Sequence, residues 1–329
     1  MALGVEGVRV GMWTDAVHHT GCTVILPPAG SVGGIAVRGG APGTREAAIL
    51  GPATPNEACH AVVLCGSSLF GLRAADGVVD WCESHGIGLE LAVGLFPIVG
   101  AAVVLDIRGP EMRRVDRDAG WAACEAATEA EPANGSVGVG TGCTVGKEAG
   151  FEWASKGGQG SAVRRSGDVS VGALVAVNAL GSIRGEDGRV IAGCRAPEDR
   201  PRYPYAPLSI LRAGSVDGAS PDDASSVSNT VIGCVVTNAR LRKPQVCRVA
   251  DLGHTGIARA VSPAHTSLDG DALFALATGE VDASVDLVAE LAAQAVADAV
   301  REGVRHAQGM SGFPADSRAR STPRSIRAQ

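Results

Sequence analysis

Residues 212–229 read RAGSVDGASPDDASSVSN, and residues 230–237 continue without a break as TVIGCVVT. The first segment is small and polar almost throughout, offers no apolar face, and reads as a flexible solvated loop. Loops of that length inside a compact chain are uncommon and are usually functional or linkers. The second segment is apolar on both of its faces, the pattern of a strand in the middle of a sheet that is covered on both sides. Residues 169–178 (VSVGALVAVN) have the same character. A solvated loop therefore ends abruptly at Thr230, the first residue of a core strand. Working outward, the short Val- and Ile-rich runs at 23–26, 61–64 and 101–107 read as further strands. Residues 68–84 and 119–130 carry helical spacing, the second begun by Asp118 and ended before Pro132. The clearest helix is 281–304, where Val281, Val285, Val288, Ala292, Ala295 and Ala299 form one apolar stripe. Strands of this kind among amphipathic helices predict an α/β layered fold, organised as one domain over 1–308. Residues 309–329 hold little that is apolar and are expected to be a disordered tail.

Composition narrows the function. Of 329 residues 45% are hydrophobic, 19% charged and only 3% aromatic, with 45 glycines, so the core is made of Val, Ala, Leu and Ile with close backbone approach at glycine. The net charge of −6 gives no basic field to draw nucleic acid or an anionic membrane. No apolar run approaches the ~20 residues that span a bilayer. Nine cysteines, an odd number without a C-x-x-C pair, are expected as buried thiols in a cytoplasmic protein.

The Asn229–Thr230 junction has chemical potential. Were that peptide bond cut, Thr230 would hold a free α-amine beside its own hydroxyl. An α-amine titrates near 7.7–8.0, so a useful fraction is neutral at about pH 7 and can accept the hydroxyl proton. One residue then supplies nucleophile and base. The same hydroxyl can make the cut by attacking the Asn229 carbonyl. By pattern alone a Thr opening a strand is ordinary β-branched propensity. Other motifs fall away. Gly146-Lys147 is followed by Glu148 and preceded, five positions before Gly146, by Thr141, so the phosphate-loop pattern is broken at two places. Gly66 to Gly71 has the wrong spacing for a G-x-S-x-G elbow. Seven histidines show no metal-binding spacing, and neither a metal nor an organic cofactor is expected. His265 is expected as a hydrogen-bonding neighbour of the Asp269-Gly270-Asp271 turn.

The segments TGCTVILPPAG (20–30), RGGAPGTRE (38–46), LCGSSLFGLRAADGV (64–78), VGVGTGCTVGK (137–147), ALVAVNALG (173–181), SNTVIGCVVTNARL (228–241) and SPAHTSLDGDALFALATG (262–279) occur in order. Together they resemble the DmpA/NylC family of self-cleaving N-terminal-nucleophile hydrolases, with the Asn-Thr junction closer to the NylC branch. The resemblance implies an α-β-β-α sandwich and cleavage into chains 1–229 and 230–329. It implies Thr230 as nucleophile, Asn178 as support for the oxyanion, and Asp269 and Asp271 as the acidic pair beside Thr230. Lys147 matches the branch's catalytic lysine, and Lys156 in SKGGQGS competes for that place. The implied substrate is a small peptide or linear amide, and the implied assembly is a homotetramer. Where the family often has an aromatic, this chain reads Val103-Val104-Leu105-Asp106, a departure that bears on substrate preference. A relative that keeps the fold but binds a small molecule or partner without hydrolysis is the alternative.

Overall fold

The computed structural model describes residues 1–106, 112–212, 229–310 and 312–315. The loop expectation at 212–229 and the tail expectation at 309–329 therefore fall almost wholly outside the described residues.

Two five-stranded sheets carry the fold. The first contains β1 (Arg9–Asp15), β2 (Thr20–Leu26), β4 (Thr44–Arg45), β5 (Ala61–Cys65) and β6 (Val99–Val103) in the spatial order β1-β2-β5-β6-β4. The second contains β3 (Val32–Val37), β7 (Gly158–Ser166), β8 (Val169–Asn178), β9 (Thr230–Ala239) and β10 (Ala272–Val281) in the order β7-β8-β9-β10-β3. Both are mixed: β5 runs parallel to β6 and β9 parallel to β10, and the other neighbours are antiparallel.

Strand alternation sorts the side chains into layers. Leu174, Ala176, Ile232, Cys234, Val236 and Phe274 point between the sheets, where they meet Ile25, Val62 and Leu64. Their neighbours Ala173, Val175, Val177, Val231 and Val235 point outward under α3 (Lys243–Ala260) and α4 (Val285–Arg305). On the far side, Val24, Val63 and Ala101 pack under α1 (Ala74–Ser84) and α2 (Arg117–Glu125). The result is the expected α-β-β-α sandwich. Each fully buried Val, Leu or Ile removes apolar surface worth about 1.5–3 kcal/mol from water, and with so few aromatics that sum is assembled from many small side chains.

Element ends differ from the sequence reading for local reasons. Helix α2 is capped by Asp116, whose carboxylate accepts from the Ala119 N–H at 3.0 Å, rather than started by Asp118. Residues 68–73 form a 3₁₀ turn ahead of α1. Val281 closes strand β10, paired with Ala239, and α4 starts after a Ser284 cap. The strand read over 101–107 is β6, Val99–Val103, and Ile107 is outside the described residues.

Candidate active site

Topology brings three distant segments to one point. In the antiparallel β8–β9 pair, Asn178 at the end of β8 lies opposite Thr230 at the start of β9. Because β10 runs parallel to β9 with Ala272 beside Ile232, the turn before it, 269–271, falls beside 229–231. An isolated parallel bridge joins Asn229 to Asp269. Thr230, Asn178, Asp269 and Asp271 are all buried.

Lys147 comes to the site through the TVGK segment, whose Thr144–Val145 strand pairs with Ser155–Lys156. The Lys147 N–H donates to the Leu180 carbonyl at 2.7 Å. Its ammonium donates to the Asn178 carbonyl at 2.9 Å and to Asn178 Oδ1 at 3.1 Å. Asn178 Oδ1 also accepts from the Thr144 N–H at 2.9 Å, and Asn178 Nδ2 donates to the Leu105 carbonyl at 3.2 Å. Lys156 donates instead to the carbonyls of Gly140 and Gly157, at 2.9 and 2.8 Å. Of the two lysines, Lys147 is the one tied to the residue opposite Thr230.

The acidic turn is held from several directions. Asp269 Oδ2 accepts from the Thr266 N–H at 2.9 Å and the Thr266 hydroxyl at 2.5 Å. Asp271 Oδ1 accepts from the Val231 N–H at 2.6 Å, fastening the turn to the second residue of β9. Asp271 Oδ2 accepts from the His265 N–H at 3.1 Å and faces His265 Nδ1 at 2.7 Å. Burial, and then the Asp271 charge, push the Asp269 carboxyl up to about 6. Burial works against charging His265, but the Asp271 hydrogen bond and charge outweigh it and raise its pKa. A protonated His265 fits its setting, because Nε2 also faces a carbonyl, that of His254, at 3.3 Å. His254 is driven the other way, to about 4, by its own burial.

The RGGA segment clamps this turn. The N–H groups of Arg38 and Gly39 donate to the Asp271 carbonyl at 3.0 and 3.1 Å, and that of Ala41 donates to the Asp269 carbonyl at 2.9 Å. The contact is so close that a Cβ on Gly39 would lie 2.2 Å from the Asp271 nitrogen and 2.3 Å from the Asp269 oxygen.

At the centre lies the peptide bond between Asn229 and Thr230. The Thr230 hydroxyl donates to the Asn229 carbonyl oxygen, and the Gly270 N–H donates to that same oxygen at 2.7 Å. The Asn229 side chain is fully buried, and neither its Nδ2 nor its Oδ1 has a hydrogen-bond partner among the described residues. The Thr230 hydroxyl thus lies against the carbonyl it would have to attack, and that carbonyl already accepts an N–H.

Thr230, Asn178, Lys147, Asp269, Asp271 and His265 lie together while Lys156 bonds elsewhere, and neither the Thr266 side chain on Asp269 nor the backbone groups are foreseen from the sequence. The Gly270 N–H, the Leu105 carbonyl and the Thr144 N–H have no residue-type signature. The motif identity of RGGA and TVGK was the available signal, since both segments lie against the turn or Asn178. Among the described residues, no group of three His, Cys, Asp or Glu side chains could hold a metal ion, and no helix is long and apolar enough to cross a membrane.

The model of peptidase family S58 matches residues 3–318. The chain belongs to peptidase family S58. An uncharacterized aminopeptidase of Mycobacterium bovis is 40% identical over 294 residues, 84% of this chain and 81% of that protein. The 6-aminohexanoate-oligomer endohydrolase of Paenarthrobacter ureafaciens is 32% identical over 281 residues, 84% of this chain and 74% of its own. Among solved structures, the L-aminopeptidase D-Ala-esterase/amidase of Ochrobactrum anthropi superposes with a TM-score of 0.66 at 19% identity, covering 95% of this chain and 88% of that one. A β-aminopeptidase from Burkholderia sp. gives 0.62 at 22% identity, with 91% and 84% covered. The fold is thus that of the N-terminal-nucleophile hydrolases, and this S58 chain is a hydrolase of peptide or linear amide bonds.

Proposed function

We propose that this S58 hydrolase cuts itself between Asn229 and Thr230, and that the freed Thr230 hydrolyses small peptides or linear amides by acyl transfer to its Oγ. The observation that carries this reading is the hydrogen bond from the Thr230 hydroxyl to the carbonyl of the bond it would cut, at the first residue of a central strand. In the intact chain Thr230 and Asn229 are both buried, so cleavage creates the α-amine and releases residue 229 from the site a substrate would enter.

In the mature form the α-amine serves as base, and the reference value of an α-amine, about 7.7–8.0, suits proton transfer near neutral pH. Asp271, bonded to the Val231 N–H, holds the end of β9 in register. Asn178, with Lys147 against its carbonyl and side chain, supports the substrate's oxyanion. The carboxyl groups of Asp269 and Asp271 favour substrates that carry an ammonium group near the scissile amide. The relatives named above are an aminopeptidase and an oligomer endohydrolase, and both names denote amide-bond hydrolysis. The nine cysteines, all buried and none in a disulfide, accord with a reducing cytoplasm. A homotetramer of cleaved protomers completes the reading.

The test is Thr230→Ala. The wild-type chain is expected to resolve into two fragments on denaturing gels, whereas the variant stays at 33.2 kDa, folded and inactive. A variant that still splits at the same bond would assign the cut to another protease.

A further inference from the structure

The group that stabilises the oxyanion of substrate turnover and the group that stabilises the oxyanion of self-cleavage need not be the same, and the hydrogen bonds around residue 229 separate them. During self-cleavage the Thr230 Oγ bonds to the Asn229 carbonyl carbon and the C–N bond between Asn229 and Thr230 breaks. The hydroxyl proton ends on the Thr230 nitrogen, leaving an ester that water opens to the Asn229 carboxylate and a free hydroxyl. At the tetrahedral stage the charge sits on the Asn229 oxygen. That oxygen has two donors in the intact chain, the Thr230 hydroxyl and the Gly270 N–H. The hydroxyl becomes the attacking atom and cannot serve as donor to the charge it creates. Among the described residues the Asn178 side chain makes no hydrogen bond to that oxygen in the intact chain: Nδ2 donates to the Leu105 carbonyl, and Oδ1 accepts from Thr144 and Lys147.

We propose that the backbone N–H of Gly270 is the oxyanion donor for self-cleavage, distinct from the Asn178 side chain assigned to turnover; this rests on the self-cleavage reading above. Three further features agree. The N–H is already 2.7 Å from the oxygen, so no reorganisation is needed as charge develops. The turn that carries it is fixed on one side by Arg38, Gly39 and Ala41 and on the other by the Asp271–Val231 bond. The position is also one where a side chain would intrude, since a Cβ on residue 270 would lie 2.9 Å from the Thr230 Oγ and 2.8 Å from the Ala41 carbonyl.

The decisive variant replaces the amide between Asp269 and Gly270 by an ester, with glycolate in place of Gly270 through a misacylated tRNA. It deletes one N–H and keeps the shape. Self-cleavage is expected to slow about 100- to 1,000-fold, the range found when a single oxyanion donor is removed. Cleavage at the wild-type rate would overturn the assignment. The same ester in a Thr230→Ala chain, which cannot cut itself, checks by thermal unfolding that the fold is kept. A measurement independent of the ester is the through-hydrogen-bond coupling between the Gly270 ¹⁵N and the Asn229 ¹³C′ in the uncleaved Thr230→Ala chain. It is expected to be present, and its absence would equally overturn the proposal. Failure of the underlying reading looks different: the wild-type chain would stay whole, or Thr230→Ala would split.

Discussion

Asp269 is the carboxyl of the cluster whose ionisation the fold shifts upward. Its folded pKa of about 6 lies above the ~3.9 of an exposed Asp, so the native state favours the protonated carboxyl. The stability this contributes is fully present below about pH 4 and is lost as the pH rises through about 6. Asp269→Asn, made in the Thr230→Ala chain so that cleavage does not intervene, removes the titration. The melting temperature of the Asn variant relative to its parent should therefore climb between pH 4 and pH 7. A difference that is flat with pH would refute the assignment. In the wild-type background, Asp269→Ala and Asp271→Ala are each expected to slow both self-cleavage and turnover, because one hydroxyl performs both steps. Wild-type rates in the double variant, by gel densitometry and amide hydrolysis, would make the pair structural only. Thr230 stood out as the residue where a polar loop meets an apolar strand, whereas Asn178 and the acidic pair were legible only through the motifs that carry the family resemblance. The hydrogen bonds that aim them come from backbone atoms and carry no letter in the sequence.

At the scale of elements, β8 and β9 were readable almost to the residue, since a run apolar on both faces fits only a covered central strand. Strand β10 and its boundary with α4 were not. Val281 continues the helical spacing of Val285 and Val288, and only its pairing with Ala239 assigns it to the sheet. The clamp between residues 38–41 and the acidic turn was equally hidden, because it joins backbone to backbone across more than half the chain. Gly39→Ala tests that clamp. The added Cβ meets backbone atoms of Asp269 and Asp271 rather than a flexible side chain, so the turn must shift. Overpacking of this kind costs about 1–3 kcal/mol, and self-cleavage should slow with it. A variant with wild-type melting temperature and cleavage rate would show that the turn is positioned by other contacts.

Across the whole molecule, the bond proposed to be cut lies in the middle of a shared core. Residues 169–178 and 230–239 face one another along the β8–β9 ladder, and Leu174 and Ile232 pack in the same layer between the sheets. The two products should therefore co-elute in native chromatography and separate only in denaturant. Elution of a lone 230–329 fragment under native conditions would contradict this arrangement. Metal chelators should leave amide hydrolysis unchanged, as the proposed chemistry draws on a hydroxyl, an amine and amide donors alone. The most direct test of the central claim is N-terminal sequencing of the smaller fragment from freshly purified wild-type protein. The expected sequence begins Thr-Val-Ile-Gly-Cys, from Thr230. A start at any other residue, or a chain that remains whole after prolonged incubation, would contradict it.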